Sequence, residues 1–391
     1  MNINNLKNSM LTLTVFRDLL GDQVISGLLN FLDNPSGNTY SEFVSRLYKA
    51  NGGNISEYIR EITGNSENVY VKTVGKGEEV PEYLKNSLHA ELATLQIVSD
   101  LKAGDLVDDL GYEGFWPEFA NTEYDVTSMY LHRVNNIGKF GYGIYSRNRM
   151  FYVSEEGNIV PVVNPDKTRL ADLIDYEYER NIIIDNTKAL LNGKPAANLL
   201  LTGDAGTGKS SSVKAVANEF FEEGLRIIEV RKDQLRTIQK ILNELSENPL
   251  KFILFIDDLS FLKDDDNFNA LKAVLEGSVT AKSSNVVIYA TSNRRHIIKE
   301  SFSDREGDDI HRNDTMQELV SLSERFGVHI TFSKPNKQTF LKIVHSIALD
   351  KGINMEESEL DMLAERFALA RGGRSARLAK QFVDNLLASQ E

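Results

Sequence analysis

The chain has 391 residues, of which 41% are hydrophobic and 26% charged, values typical of a folded globular protein of about two or three domains. It carries 44 Lys and Arg against 57 Asp and Glu, a net charge of -13, which argues against a protein coated by nucleic acid. The absence of cysteine excludes disulfide scaffolds and thiolate chemistry. No signal-peptide pattern and no apolar run of roughly 20 residues is present, so we expect a soluble cytoplasmic protein without membrane contact.

The first part of the chain is predicted to be mainly helical, because apolar residues recur at helical spacing from Leu11 onward. The aromatic side chains Phe115, Trp116 and Phe119 are expected in its core. Near residue 141 the apolar period changes to two, which predicts short strands, at residues 142–145, 150–153 and 159–163. We therefore assign residues 1–168 to a separate N-terminal domain, mainly helical with a short β-hairpin, that would contact a protein partner.

Strands and helices alternate in the second part of the chain, which predicts an α/β fold with a parallel sheet covered by helices. A long helix over residues 170–191 is expected to open it. Apolar runs predict the strands, at residues 198–201, 226–230, 252–256, 286–290 and 328–332. Only helical periodicity follows, so we assign residues 169–333 to an αβ core and residues 334–391 to a C-terminal helical domain.

A glycine-rich segment matches the phosphate-binding loop pattern G-x-x-x-x-G-K-[ST]. An apolar strand precedes it and a helical run follows, which is the context that such a loop needs. Its glycines allow backbone N–H groups to point at a phosphate, Lys209 would offset phosphate charge, and the Ser210 hydroxyl would bind Mg²⁺. The predicted nucleotide-binding residues are Gly203, Asp204, Ala205, Gly206, Thr207, Gly208, Lys209, Ser210 and Ser211.

Polar side chains end two later apolar strands. Asp257 and Asp258 follow residues 252–256, and Asn293 follows the strand that begins at Val286. Because open α/β sheets bind ligands at the carboxyl ends of their strands, these side chains are expected beside the phosphates. We assign Asp257 to Mg²⁺ and Asp258 to orienting the attacking water.

The order of phosphate loop, acidic strand and Asn-tipped strand resembles the AAA+ ATPases. That resemblance implies ATP and Mg²⁺ as ligands, and Asn293 as the first sensor of the γ-phosphate. It also implies an arginine finger for a neighbouring subunit of a homo-oligomer, at Arg325 with Arg305 and Arg312 as alternatives. The second sensor arginine of the helical lid would be Arg374 or Arg377, with Arg374 placed first.

Residues from about Leu170 to Leu387 are similar to an uncharacterised AAA+ family, domain of unknown function 815. Most AAA+ proteins have Glu at the position of Asp258, and the shorter side chain predicts slow hydrolysis. We expect an Mg-dependent ATPase that couples its nucleotide state to the remodelling or regulation of a partner. A nucleic-acid-associated loader or motor, less favoured by the net charge, and a nucleotide-dependent switch with little turnover are the alternatives.

Overall fold

The structure is a computed structural model that describes residues 3–259, 266–276, 284–293 and 324–389. The chain divides into two compact units. The first comprises Met1–Arg147 and Glu247–Leu250, and the second comprises Asn148–Ser246 and Lys251–Glu391. None of the helices in the described ranges is both long and apolar enough to span a bilayer.

The first unit is built from α-helices, as the sequence predicts. They are α1 (Ile3–Leu11), α2 (Gln23–Asp33), α3 (Gly37–Asn51), α4 (Ile55–Asn65), α5 (Val69–Gly75), α6 (Glu82–Ser99), α7 (Ala103–Val107), α8 (Val126–Asn135), α9 (Ile137–Phe140) and α10 (Ile144–Arg147). Side chains that accept backbone N–H bonds begin several of them: Asp22 caps α2, Ser36 caps α3 and Asn54 caps α4. The apolar faces of these helices, including Phe31 and Leu92, pack into one buried core.

Two predictions for the first unit are wrong. Residues 142–145 form no strand, because Gly141 and Gly143 adopt positive φ angles of 63° and 60° and α10 begins at Ile144. Phe115 is not a core residue, since 84% of it is exposed. Its loop neighbours Trp116 and Phe119 are partly buried against the core, as expected.

The second unit contains a mostly parallel sheet. Its strands are β1 (Met150–Val153), β2 (Ile159–Pro161), β3 (Leu199–Gly203), β4 (Leu225–Glu229), β5 (Lys251–Ile256), β6 (Val286–Ser292) and β7 (Val328–Phe332). Across the sheet the order is β2-β1-β4-β5-β6-β3-β7. Strands β1 and β2 are antiparallel, and each other neighbouring pair is parallel. The central strands are buried on both faces, which explains why they read as unbroken apolar runs.

The β1–β2 hairpin belongs to this sheet rather than to the N-terminal domain. Tyr152 of β1 is in register with Glu229 of β4, and Phe151 of β1 is 1% exposed. The boundary between the units therefore lies at Arg147 and not at residue 168. The local apolar pattern predicts the two strands of the hairpin. It does not predict that β1 pairs with β4, because those strands are far apart in the sequence.

The helices of the second unit cover the sheet and extend beyond it. They are α11 (Glu177–Leu191), α12 (Lys209–Glu219), α13 (Ile238–Leu245), α14 (Asp266–Glu276), α15 (Lys337–Asp350), α16 (Glu357–Ala370) and α17 (Ala376–Ala388). The long helix predicted over residues 170–191 is divided, because Asp175 and Tyr176 have positive φ angles. Only a short 3₁₀ turn, Leu170–Asp172, precedes the break. Helices α15, α16 and α17 pack around a core of their own that includes Phe340 and Phe382.

Strands β3, β5 and β6 carry the candidate site. They are neighbours in the order β5-β6-β3, and they run parallel. Their carboxyl ends therefore meet at one edge of the sheet, where Gly203, Asp257 and Asn293 follow them.

Candidate nucleotide-binding site

The phosphate loop connects β3 to α12, with residues 204–208 between them and residues 209–211 in the first turn of the helix. Gly203 must be glycine, because a Cβ atom there would lie 2.0 Å from the Phe332 carbonyl oxygen of the neighbouring strand. Gly206 has a φ of 78°, and a Cβ atom would lie 3.0 Å from that of Arg377. These two positions let the loop turn tightly between the sheet and α17.

The loop presents backbone donors. Among the described residues, no acceptor pairs with the N–H groups of residues 205–211, and Gly208 caps α12 without a side-chain bond. Unpaired N–H groups at a helix N-terminus attract anions, because the helix dipole adds a partial positive charge. This donor set fits the oxygens of a phosphate chain.

Lys209 is held inside the loop and is only 5% exposed. Its Nζ donates to the Gly203 carbonyl at 2.9 Å, to the Asp204 carbonyl at 2.8 Å and to Asn293 Oδ1 at 3.0 Å. Burial lowers the pKa of Lys209 below its usual value, and the nearby carboxylates of Asp257, Asp204 and Asp258 oppose that shift. All three of its acceptors are neutral oxygens, so its positive charge is not neutralised by direct contact.

Asp257 connects the acidic strand end to the loop. Its Oδ1 accepts a hydrogen bond from Ser210 Oγ at 2.6 Å and another from Thr291 Oγ1 at 2.5 Å. In the part of the chain that the structure describes, no group donates to Oδ2. A carboxylate oxygen beside a serine hydroxyl is a donor set that suits hydrated Mg²⁺, so these two residues fit the metal that the motif implies.

Asp258 has a strained backbone. Its φ is 53°, in the left-handed region that residues with a side chain rarely adopt. Its N–H donates to Thr291 Oγ1 at 3.0 Å, and its Oδ1 accepts from Asn293 Nδ2 at 2.7 Å. This turn directs the carboxylate toward the amide at the end of β6 and away from the path of β5.

Thr291 is a site residue that the sequence analysis missed. Its hydroxyl joins the side chain of Asp257 to the backbone of Asp258, and the residue is 2% exposed. A signal was present in the sequence, since Thr291 precedes Asn293 by two positions, and side chains two apart on a strand share a face.

Helix α17 approaches the loop through Arg377. Its N–H donates to the Gly206 carbonyl at 3.3 Å, and its charge contributes to the lowered pKa of Lys209. In the described ranges no carboxylate pairs with the Arg377 guanidinium. Arg374 instead forms two hydrogen bonds to Glu365 of α16, at 2.8 and 2.5 Å, which hold the pKa of that carboxyl below its usual value.

Arg325 lies just before β7 and forms an ion pair with Glu276 at the end of α14. The alternative fingers Arg305 and Arg312 lie outside the described residues. The structure thus brings Lys209, Ser210, Asp257, Asp258 and Asn293 together at one edge of the sheet. It places Arg325 and Arg374 in ion pairs of their own.

The comparisons with solved structures identify distant neighbours. The RuvB Holliday junction branch migration motor of Thermotoga maritima is 15% identical, with a TM-score of 0.39 over 56% of this chain and 63% of that one. A single-residue variant of the same motor is 16% identical, with a TM-score of 0.40 over 56% and 64%. The similarity thus spans less than two thirds of those chains. No curated protein matches the sequence.

A family model described as "Protein of unknown function (DUF815)" matches residues 146–390, more than half of the chain. The matched region contains the phosphate loop, the acidic strand end, the Asn-tipped strand and the helices α15, α16 and α17. The chain therefore belongs to this family.

Proposed function

We propose that the chain binds Mg-ATP at the phosphate loop, hydrolyses it slowly, and couples its nucleotide state to the remodelling or regulation of a partner. The observation that carries the proposal is the hydrogen-bonded series Lys209–Asn293–Asp258. It connects the cation of the phosphate loop to a carboxylate that follows the neighbouring strand. Such a connection is suited to sensing a γ-phosphate bound between them.

Binding would use the backbone donors of residues 205–211 and the Lys209 ammonium. Because Lys209 bonds only neutral oxygens in the described residues, a phosphate oxygen would be a stronger acceptor than its present partners. Mg²⁺, when bound by Ser210 and Asp257, would neutralise phosphate charge and align the γ-phosphate.

Hydrolysis would depend on Asp258. One of its oxygens is oriented by Asn293, and the other has no donor among the described residues, so it can accept a hydrogen bond from the attacking water. As the water oxygen bonds to the γ-phosphorus and the bond to ADP breaks, the water proton passes to this carboxylate. An aspartate reaches less far than a glutamate, which is the reason to expect slow turnover.

Two cations would complete the site. We assign the lid cation to Arg377 rather than to Arg374, because Arg377 contacts the loop while Arg374 is paired with Glu365. We assign the finger to Arg325 of a neighbouring subunit, in a homo-oligomer. The cytoplasmic location of the protein also remains a prediction.

A second candidate is a nucleotide-dependent switch with negligible turnover. It is favoured by the Asn293–Asp258 hydrogen bond, because that bond occupies one carboxylate oxygen of Asp258, whose side chain is already shorter than the usual glutamate. Turnover of the wild-type protein distinguishes the two, and turnover with and without DNA at low salt tests the nucleic-acid-associated loader or motor.

Substitution of Lys209 by Ala tests the site itself. We expect the variant to keep its circular-dichroism spectrum and to bind Mg-ATP at least about 30-fold more weakly, since a buried charge contact is lost. Lys214→Ala is the matched control, because Lys214 lies on the same helix and pairs with Glu229 at its surface. Equal nucleotide affinities of wild type and Lys209→Ala would reject the phosphate-loop assignment.

A further inference from the structure

The first unit contains a long loop, residues 111–125, between the 3₁₀ turn Asp108–Leu110 and α8. It has no helix or strand, apart from an isolated bridge at Ala120. Phe115 is 84% exposed and Tyr112 is 61% exposed on this loop. Irregular loops of this length are uncommon in compact domains; they are either disordered or linker segments, or ordered segments with a function.

Aromatic packing fixes the exposed end of the loop. The Tyr112 and Trp116 rings meet edge to face with centroids 5.2 Å apart, and Trp116 meets Tyr40 of α3 in the same way at 5.3 Å. The Tyr40 hydroxyl donates to the Pro117 carbonyl at 2.6 Å. Phe115 lies within this fixed segment, so its exposure is imposed by packing on both sides of it.

Backbone bonds fix the other end. The Ala120 N–H donates to the Gly53 carbonyl at 2.8 Å, and the Ile55 N–H donates to the Ala120 carbonyl at 3.0 Å. Asn54 Nδ2 donates to Thr122 Oγ1 at 2.9 Å. A loop anchored at both ends loses little conformational entropy when a partner binds it.

The charged residues of the loop and of the stretch before it are all acidic. Residues 103–125 contain seven Asp and Glu and no Lys, Arg or His. Glu113, Glu118 and Glu123 are exposed, and none forms an ion pair within the described residues. Of the neighbouring cations, Lys102 directly precedes this stretch, and Arg60 lies over the Tyr124 ring.

We propose that the loop of residues 111–125 is a docking surface for a basic segment of a protein partner. An apolar side chain of that segment packs on Phe115 and Tyr112, and its Lys or Arg side chains pair with the free glutamates or lie over the aromatic rings. Opposite charge accelerates and selects such a partner. The same carboxylates repel nucleic acid and anionic membranes. The surface is independent of the proposed ATPase activity.

The test selects random 15-residue peptides on the full-length protein without nucleotide, and in parallel on the variant Phe115→Ala/Glu113→Gln/Glu118→Gln/Glu123→Gln. Trp116 is the only tryptophan of the chain and lies in the loop, so its fluorescence reports binding directly. We expect the wild-type pool to be enriched in Lys and Arg beside a large apolar residue. Phe115→Ala alone should weaken the best peptide about tenfold or more.

Two controls make the result specific to the loop. Tyr83→Ala removes another exposed aromatic, and Glu78→Gln/Glu79→Gln/Glu82→Gln removes three other exposed carboxylates. Both variants should bind the peptide like wild type. A pool without an excess of Lys and Arg, or equal binding by the loop variant, would overturn the proposal. So would tighter Phe115-dependent binding of a DNA duplex or of anionic vesicles. Each of these outcomes leaves the ATPase proposal unaffected, because no nucleotide is present.

Discussion

Lys209 Nζ donates a hydrogen bond of 3.0 Å to Asn293 Oδ1, although 84 positions separate the two residues in the chain. The other end of the same amide donates to Asp258 Oδ1 at 2.7 Å. Because an amide accepts at its oxygen and donates at its nitrogen, the two contacts orient Asn293 in one way. When Lys209 binds a phosphate oxygen of the nucleotide, its hydrogen bond to Asn293 Oδ1 would be lost. Asn293 would then be free to reorient, and the hydrogen bond from its Nδ2 to Asp258 would change with it.

The two neighbouring aspartates are expected to differ in their effects. Asp258→Asn should keep ATP binding and slow hydrolysis by about 10²-fold or more, as removal of a positioned base usually does. Asp257→Asn should instead raise the Mg²⁺ concentration needed for half-maximal activity, because Asp257 contacts Ser210. Nucleotide titrations and Mg²⁺-dependent turnover measure both effects. Identical phenotypes would contradict the division of roles.

Thr291 is expected to support both aspartates. Thr291→Val keeps the shape of the side chain but removes the donor to Asp257 and the acceptor for the Asp258 N–H. We expect about 10- to 100-fold lower activity or metal affinity, as for other residues that orient metal-binding carboxylates. Thr291→Ser should keep most of the wild-type activity and metal affinity, because serine retains the hydroxyl.

Thr202→Val is the matched control for this substitution. Thr202 is also a buried strand threonine, but its hydroxyl bonds Thr331 and not the acidic residues. Wild-type Mg²⁺ dependence in Thr291→Val would show that its hydroxyl is not needed at the site.

The two lid arginines are expected to separate into a ligand contact and a structural contact. Arg377→Ala should lower turnover by about 10²-fold, the usual effect of losing one positioned donor, with little change in the melting temperature. Arg374→Ala should leave turnover nearly unchanged and lower the melting temperature only slightly, because the Arg374 side chain is partly exposed and solvent screens its ion pair with Glu365. Turnover and thermal melts of both variants measure this. A larger loss of turnover in Arg374→Ala would return the sensor role to Arg374.

The parts of the site that could be predicted are those encoded by local patterns. The apolar run before Asp257 identifies a strand, and the spacing of Gly203 and Lys209 identifies the loop. Arg374 and Arg377 stand in one motif, and only the start of α17 at Ala376 decides which of them meets the loop. Thr291 shares a strand face with Asn293, but its contact with the Asp258 N–H depends on the turn of Asp258 into the left-handed region, which the apolar pattern of β5 does not indicate.

Arg325 is expected to act on the site of a neighbouring subunit. Its side chain is 26% exposed, and the ion pair with Glu276 of the same chain holds it in place before β7. An arginine supplied in trans is worth about 10³–10⁵ in kcat, which corresponds to roughly 4–7 kcal/mol of transition-state stabilisation. Arg325→Ala should therefore bind ATP normally and hydrolyse it poorly. It should still form the homo-oligomer in the presence of ATP, which light scattering measures.

Mixing variants tests whether the arginine acts in trans. Arg325→Ala provides an intact pocket and Lys209→Ala provides an intact arginine, so an interface between the two variants contains one complete site. We expect the mixture to regain turnover that neither variant has alone. Glu276→Gln is the control, because it removes the intrachain partner of Arg325 and leaves the arginine in place. High turnover per chain from a monodisperse monomer, independent of protein concentration, would exclude a finger in trans. If Arg325→Ala alone hydrolysed ATP at the wild-type rate, the finger role would move to Arg305 or Arg312.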